Sequence, residues 1–525
     1  MDVLALILVC PVAAVLAALI PSNRWRPWIL PAAAVVHLSL VALILLSGGV
    51  GVKVKPGPTT RDGFVATTLV IPPHALVIPP HAGAPSVERV VPADTGGIVL
   101  SDWLGLDPPG RVVLLLVSML FVACAFYTVG YLRDHMDHLN RVFCVCFLAF
   151  LGAMTLVICT NNLGLMWVAM EATTLSSAPL IYFKHTQTSI EATWKYLLLC
   201  SVGIALALLG SFFVAYAAIL HGLTPSLKLA DLLRQAPKMD KRWLEAGFVL
   251  LLVGYGTKMG LAPMHSWLPD AHGESPSPVS AMFSGALIST AFLMVMRSQH
   301  ILYVAGDGAY ASRLLILLGL LSMAFAAIFM VGQKDLKRML AYSSVEHMGI
   351  LALGLGVGGI ALLGAMLHVL TNGFTKGSLF LSVGNIDRAY GSKTIPEVRG
   401  AVRRLPLSGM VFLLGFLAIT GSPPFGPFIS ELIILYGTFM AERFLIAAIF
   451  LALLLVIFIG MGRTVLAATQ GSVPASGRKS HFRDGLLSGL PVLACLLIVL
   501  LLGLYIPPPV WGLLHHAANY LEVKP

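Results

Sequence analysis

Apolar runs of about twenty residues recur along the whole chain, divided by short polar stretches. A bilayer core takes roughly 20 mainly apolar residues per helix. The runs fall at 2–20, 28–48, 111–132, 142–160, 162–183, 194–220, 244–262, 278–297, 312–332, 339–357, 359–384, 407–439, 443–466 and 485–505, which predicts fourteen transmembrane helices. The first is expected to be a retained helix and not a cleaved leader, because Asp2 replaces the usual basic start and a second span follows closely. Only 49–110 is long enough to form a separate extramembrane element. It holds a tandem duplication, Leu69-Val-Ile-Pro-Pro-His-Ala and then Leu76-Val-Ile-Pro-Pro-His-Ala. Paired prolines favour turns and extended chain, so His74 and His81 read as parts of a duplicated surface loop.

Composition turns this pattern into an exclusion. Of 525 residues, 58% are hydrophobic and 11% charged, with a mean hydropathy of +0.88. Soluble proteins carry about a quarter charged residues, so a soluble enzyme, a disordered chain and a nucleic-acid binder are excluded despite the net charge of +10. The seven cysteines lie in apolar runs and read as small core residues, not as a disulfide or metal framework. Loop charge sets orientation. With the N-terminus outside, inner loops hold eighteen Lys/Arg, Lys337 among them, and outer loops fourteen, Arg297 among them. Both ends are therefore expected outside, although the basic stretch 228–242 runs against the rule.

Ionisable residues inside spans cost about 2.5–3.5 kcal/mol each on insertion scales and are functional candidates. Glu171, Lys258, Lys376 and Glu431 stand in the fifth, seventh, eleventh and twelfth spans, and Glu346 in the tenth, nearer a polar end. His368, Asn372 and Lys376 are spaced i, i+4, i+8 and form one stripe on a helix. Imidazole, amide and ammonium in line suit proton relay, since His titrates near neutrality. His347, beside Glu346, extends the stripe, whereas the lone His37 reads as structural. Two spans are broken by proline, at 261–278 and at Gly421-Ser-Pro-Pro-Phe-Gly-Pro427. Such breaks are tolerated at membrane depth only inside protein or beside water. His265, Asp270, His272 and Glu274, on the first break, imitate a metal set but are expected to cap the loop and line the mouth of a path. Glu171 to Glu346 and Lys258 to Glu431 are offset by similar intervals, each spanning five helices. An odd number of helices reverses direction, so the spans read as two inverted units.

Several strings then resemble a known family. Lys258-Met-Gly-Leu-Ala-Pro-Met-His-Ser-Trp-Leu-Pro-Asp-Ala-His272, Asp335-Leu-Lys-Arg-Met-Leu-Ala-Tyr-Ser-Ser344 and His368-Val-Leu-Thr-Asn-Gly-Phe-Thr-Lys376 look like the antiporter-like proton-translocating subunits of respiratory complex I and related hydrogenases. The stretches from Asn161 and from Trp194 look nearest to the component F branch of hydrogenase-4. The resemblance covers about 110–470. It implies an all-α polytopic membrane protein of about fourteen helices, with two inverted five-helix repeats and broken seventh and twelfth helices. It also implies a proton path in which Glu171 pairs with Lys258, Lys376 is the central lysine with His368 on the relay, and Glu431 is the terminal charge. His265, Glu346 and His347 join these as candidate site residues. Phe283 and Ser289 stand where many members carry a basic residue in the eighth helix, so a bridging water or His347 is expected to serve. The expected organisation is 1–48 helices 1–2, 49–110 loop, 111–141 helix 3, 142–298 and 299–468 the two units, and 469–525 the C-terminal helix and tail.

The chain shows no nucleotide fingerprint, iron–sulfur cysteine cluster or haem motif. The expectation is a subunit of an oxidoreductase or translocase complex without cofactor or metal of its own, in a bacterial inner membrane. Its expected partners are other membrane subunits, a peripheral redox module, the lipid bilayer and protons, with sodium possible. A sodium/proton antiporter of the multi-subunit type is the alternative.

Overall fold

A computed structural model describes residues 3–46, 70–71, 98–99, 103–134, 140–474 and 482–522. Twenty α-helices follow one another: α1 (Val3–Leu19), α2 (Ile29–Leu46), α3 (Pro108–Arg133), α4 (Asn140–Ile158), α5 (Leu163–Ile181), α6 (Gln187–Ile219), α7 (Leu229–Gln235), α8 (Lys241–Met259), α9 (Trp267–Glu274), α10 (Ser277–Met282), α11 (Ile288–Val304), α12 (Gly308–Met330), α13 (Leu336–Val357), α14 (Ile360–Tyr390), α15 (Ala401–Arg404), α16 (Pro406–Ile419), α17 (Gly426–Met440), α18 (Phe444–Thr469), α19 (Leu486–Leu504) and α20 (Pro508–Glu522). The only sheet among the described residues is a two-residue antiparallel pair, β1 (Val70–Ile71) with β2 (Ile98–Val99). The duplicated histidines His74 and His81 lie outside the described residues.

Each expected span has its helix. The seventh is broken into α8 and α9, the twelfth into α16 and α17, and the eighth runs as α10, a π-helical turn (Phe283–Leu287) and α11. By length and hydropathy nine helices among the described residues could cross a membrane, with three shorter apolar ones beside them. The chain is thus an integral, multi-pass membrane protein. α5, α8 and α14 are less apolar than these because they carry the polar and charged side chains described below. Exposed Leu, Val, Ile and Phe cover the outer faces of α1, α6, α18 and α19, as a lipid-facing surface requires. α13, α14 and the α10–α11 rod are almost wholly buried at the centre.

Two residues counted as loop charges belong to the interior. Arg297 is 2% exposed and lies in α11, which extends seven residues past the expected boundary. Its guanidinium grips Asp107 through Nε–Oδ2 (2.9 Å) and Nη2–Oδ1 (2.7 Å), and Nη1 and Nη2 donate to the carbonyls of Val157 and Ile158. Asp107 in turn caps α3 by accepting from Gly110 N. One buried pair therefore ties the start of α3 and the end of α4 to α11. Lys337 is 1% exposed, and its Nζ donates to Ser275 O at 3.0 Å. Three further helices lie outside the expected spans: α7, inside the basic 228–242 stretch, the short α15, and the C-terminal α20.

Candidate functional site

α6 and α8 approach closely through small residues. A Cβ at Gly254 would stand 2.5 Å from Gly203 O, a separation only glycine allows, and such contacts are how helices pack tightly in lipid. The approach sets Lys258, in the last turn of α8, against α5 and α6. Its Nζ donates to Thr174 Oγ1 (2.7 Å) and Tyr196 OH (2.8 Å) and lies 4.5 Å from the Tyr196 ring centroid. That placement adds a cation–π attraction. Glu171 accepts from Ser201 Oγ at 2.7 Å and from Thr174 Oγ1 at 3.5 Å. The direct Glu171–Lys258 pair implied by the resemblance is not formed. Thr174 lies one turn from Glu171 on the same face of α5 and comes between the two charges, sharing its hydroxyl with both.

From Lys258 towards the centre the lining turns aromatic. Tyr196 stacks on Phe283 at 5.7 Å and tilts against Trp267 at 5.0 Å. Phe283 opens the π-helical turn, a distortion that often marks functional sites. Beyond it lies His272, fully buried, stacked 5.0 Å from Phe380 and edge-on to Phe283 at 5.9 Å, with neither ring nitrogen bonded to a protein side chain or backbone atom. His272 lies within electrostatic reach of Lys376. It occupies the middle position for which the sequence offered Phe283 and Ser289.

α14 carries the expected stripe. His368, Asn372 and Lys376 are all 0% exposed. Lys376 Nζ donates to Leu340 O on α13 at 3.1 Å. Neither polar atom of the Asn372 amide has a protein partner. Glu346 is 1% exposed at the middle of α13, not near a polar end, and interacts electrostatically with Lys376. Its Oε2 lies 3.9 Å from His347 Nε2. His347 Nδ1 meets His368 Nε2 at 2.9 Å, and the two rings stack at 5.1 Å. His368 Nδ1 then meets Ser430 Oγ at 2.8 Å, next in sequence to Glu431. His347, His368 and Glu431 offer ligand atoms all within 4.8 Å of one another, and all three residues are buried. A metal ion could be held there, a grouping that sequence spacing alone does not reveal.

Ser430 Oγ also lies 2.9 Å from Pro427 O, to which it can give its single hydrogen. With that assignment His368 Nδ1 is the donor, His368 Nε2 accepts from His347 Nδ1, and His347 Nε2 keeps a lone pair without a bonded partner. The reversed tautomers, with Ser430 donating to His368 Nδ1, satisfy the same two contacts, so the bond between the histidines can carry a hydrogen in either sense.

The surface around α9 is ionic. Asp270 receives Lys195 at 3.1 Å and Arg338 at 2.9 Å, and Glu274 and Asp335 flank Lys393 at 3.7 and 3.5 Å. Asp270 and Glu274 therefore belong to an ionic surface cluster. His265 does not join the buried line. Its ring packs outward against Phe325, Phe329 and Tyr342. His37 bonds Thr155 and Ser118 and is structural.

Taken together, the helices define a class: a polytopic membrane protein with two broken helices and a buried series of titratable side chains at their level. Residues 160–458 match the family described as NADH:quinone oxidoreductase/Mrp antiporter, TM. The chain belongs to that family. It is 35% identical over 436 residues to the hydrogenase-4 component F homolog of Methylacidiphilum infernorum (isolate V4), covering 79% of this chain and 90% of that protein. It is 31% identical over 384 residues to the NADH-quinone oxidoreductase subunit N of Desulforudis audaxviator (strain MP104C), covering 72% and 75%. Its fold is similar to a chain in the membrane-bound sulfane sulfur reductase, an archaeal respiratory membrane complex, with a TM-score of 0.79 at 22% identity over 99% of this chain and 97% of that one.

Proposed function

We propose that the chain is the proton-translocating subunit of a redox-driven membrane complex of the hydrogenase-4 or NADH:quinone oxidoreductase kind. One observation carries the reading: Lys258, His272, Lys376, Glu346, His347, His368 and Glu431 form a buried series across the middle of a membrane protein, with the half-buried Glu171 beside Lys258. Ionisable groups at that depth are costly and mark ion pathways. The family membership and the hydrogenase-4 component F likeness support the redox-driven setting.

The residues divide the work. A proton delivered to His347 Nε2 releases the Nδ1 proton to His368 Nε2, and His368 releases its Nδ1 proton toward Ser430 and Glu431. Each ring ends with its tautomer reversed and must reset before the next transfer. Lys376 and Glu346 supply the charge that drives this exchange: opposite charges favour each other's ionised forms, so moving them apart releases a proton from the lysine. Between Lys258 and Lys376, His272 and the unpartnered Asn372 amide are the polar stations, and buried groups of this kind bind ordered water. Thr174 keeps Glu171 and Lys258 coupled without direct contact.

The redox step belongs to a peripheral partner module, with other membrane subunits alongside this chain in a bacterial inner membrane. The two halves, 142–298 and 299–468, act as inverted units, each contributing one broken helix. Both chain ends lie outside. A sodium/proton antiporter is the second reading, since the family description also names Mrp antiporters. The central donors weigh against it: they are mainly nitrogen, whereas hard cations select oxygen ligands. The test is proton uptake by inverted membrane vesicles. Lys376→Ala should abolish uptake with the complex still assembled. Uptake at the unmodified rate overturns the proposal.

A further inference from the structure

We propose that His347, His368 and Glu431 form a binding site for a divalent transition-metal ion of the zinc(II) class, which occupies the relay and stops it. The site consists of two imidazoles and one carboxylate, the donor set of an open tetrahedral zinc centre. The facing nitrogens, His347 Nδ1 and His368 Nε2, are 2.9 Å apart, and the three ligand atoms lie within 4.8 Å of one another. Zinc–nitrogen bonds of about 2.0–2.1 Å place tetrahedral neighbours roughly 3.4 Å apart. The imidazoles therefore open by about half an ångström, and the carboxylate closes by about one.

The tautomers allow this without loss of a proton. When His368 Nδ1 donates to Ser430 Oγ, 2.8 Å away, its Nε2 is presented as a lone pair. His347 need only move its hydrogen from Nδ1 to Nε2, which lies 3.9 Å from Glu346 Oε2. Serine then stands behind one imidazole as a hydrogen-bonding partner and the Glu346 carboxylate behind the other as a nearby charge, the kind of second layer that orients histidine ligands. The remaining coordination position is open. Glu431 gives the route in. It is 7% exposed, and it lies against Gly421 of the broken twelfth helix so closely that a Cβ there would come 2.2 Å from Glu431 Oε2. The adjoining Pro423 and Pro424 are exposed.

An ion in this position removes the shared hydrogen bond through which the relay runs. That blocking role rests on the proton path proposed above, whereas metal binding does not. The test uses the full chain, purified without a histidine tag and titrated with cobalt(II) chloride, then with zinc(II) as competitor. We expect one equivalent of cobalt with the intense visible bands of tetrahedral coordination, displaced by zinc. His368→Gln and Glu431→Gln should weaken binding at least tenfold, and Ser430→Ala about tenfold through loss of orientation. His221→Gln, at an exposed histidine, should change nothing. Absence of a tetrahedral spectrum in the unmodified chain overturns the site whatever the variants do, and so does unchanged affinity in both ligand variants. In vesicles, zinc should halt proton uptake, and inhibition surviving intact in Glu431→Gln contradicts the block. If the ligand variants lose cobalt yet move protons at full rate, the metal site stands and the proton path falls.

Discussion

Two buried sets of charge in this molecule are built on opposite rules. At one end of the membrane region, Arg297 and Asp107 are matched almost completely: two bonds join them, two carbonyls take two of the three remaining guanidinium hydrogens, and the carboxylate also caps a helix. Across the centre, Lys376 has one hydrogen bond, to a backbone carbonyl, His272 bonds through neither nitrogen, and Asn372 through neither amide atom. A satisfied pair holds helices in place and has nothing left to exchange. An under-satisfied series can change partners, and a proton path requires that. Burial of charge therefore separates into structure and function by the count of partners.

The comparison can be broken from either side. The largest effect is expected at the satisfied end. Arg297→Met leaves Asp107 buried and alone, which should cost about 3–5 kcal/mol, seen as loss of folded protein and of complex assembly in detergent. Proton uptake should fall only in proportion to the protein lost. Next comes His368→Gln, which keeps hydrogen-bonding capacity but cannot hold a proton. Uptake should drop on the order of a hundredfold, the scale of a lost acid–base group, while the unfolding midpoint stays near that of the unmodified chain. A stability loss without a specific transport loss would place His368 with Arg297. Smallest is Thr174→Val, which removes the hydroxyl between Glu171 and Lys258. Lys258 keeps Tyr196, so uptake should fall about tenfold or less, with a stability cost of about 1–3 kcal/mol. An effect as large as that of His368→Gln would mean that the first half is as finely set as the second.

Much of the architecture was legible in the chain. The fourteen apolar runs, the two proline breaks and the i, i+4, i+8 stripe follow from hydropathy and helical period, which survive packing unchanged. What depends on which helix meets which was not. Arg297 and Lys337 stand near the ends of apolar runs, and position there says nothing of a neighbouring helix reaching over it. The His347–His368 contact and the closeness of Glu431 join α13, α14 and α17, and no spacing in one helix encodes that. The Thr174 bridge likewise depends on how α5 meets α8. His272 is different, because a signal existed. On a helix Asp270 and Glu274 share a face, and His272 points about 200° away from Asp270. Once the two carboxylates are assigned to the ionic surface, the histidine must face inward. Reading 267–274 as a broken segment and not as a helix hid that.

The central claim is that Lys376 gives up and regains a proton, and does not merely carry charge. The most direct measurement is proton uptake in vesicles carrying Lys376→Arg. Arginine retains the positive charge and a donor for Leu340 O but remains protonated. The complex should assemble in this variant and proton uptake should be lost. Uptake at the unmodified rate in that variant would contradict it.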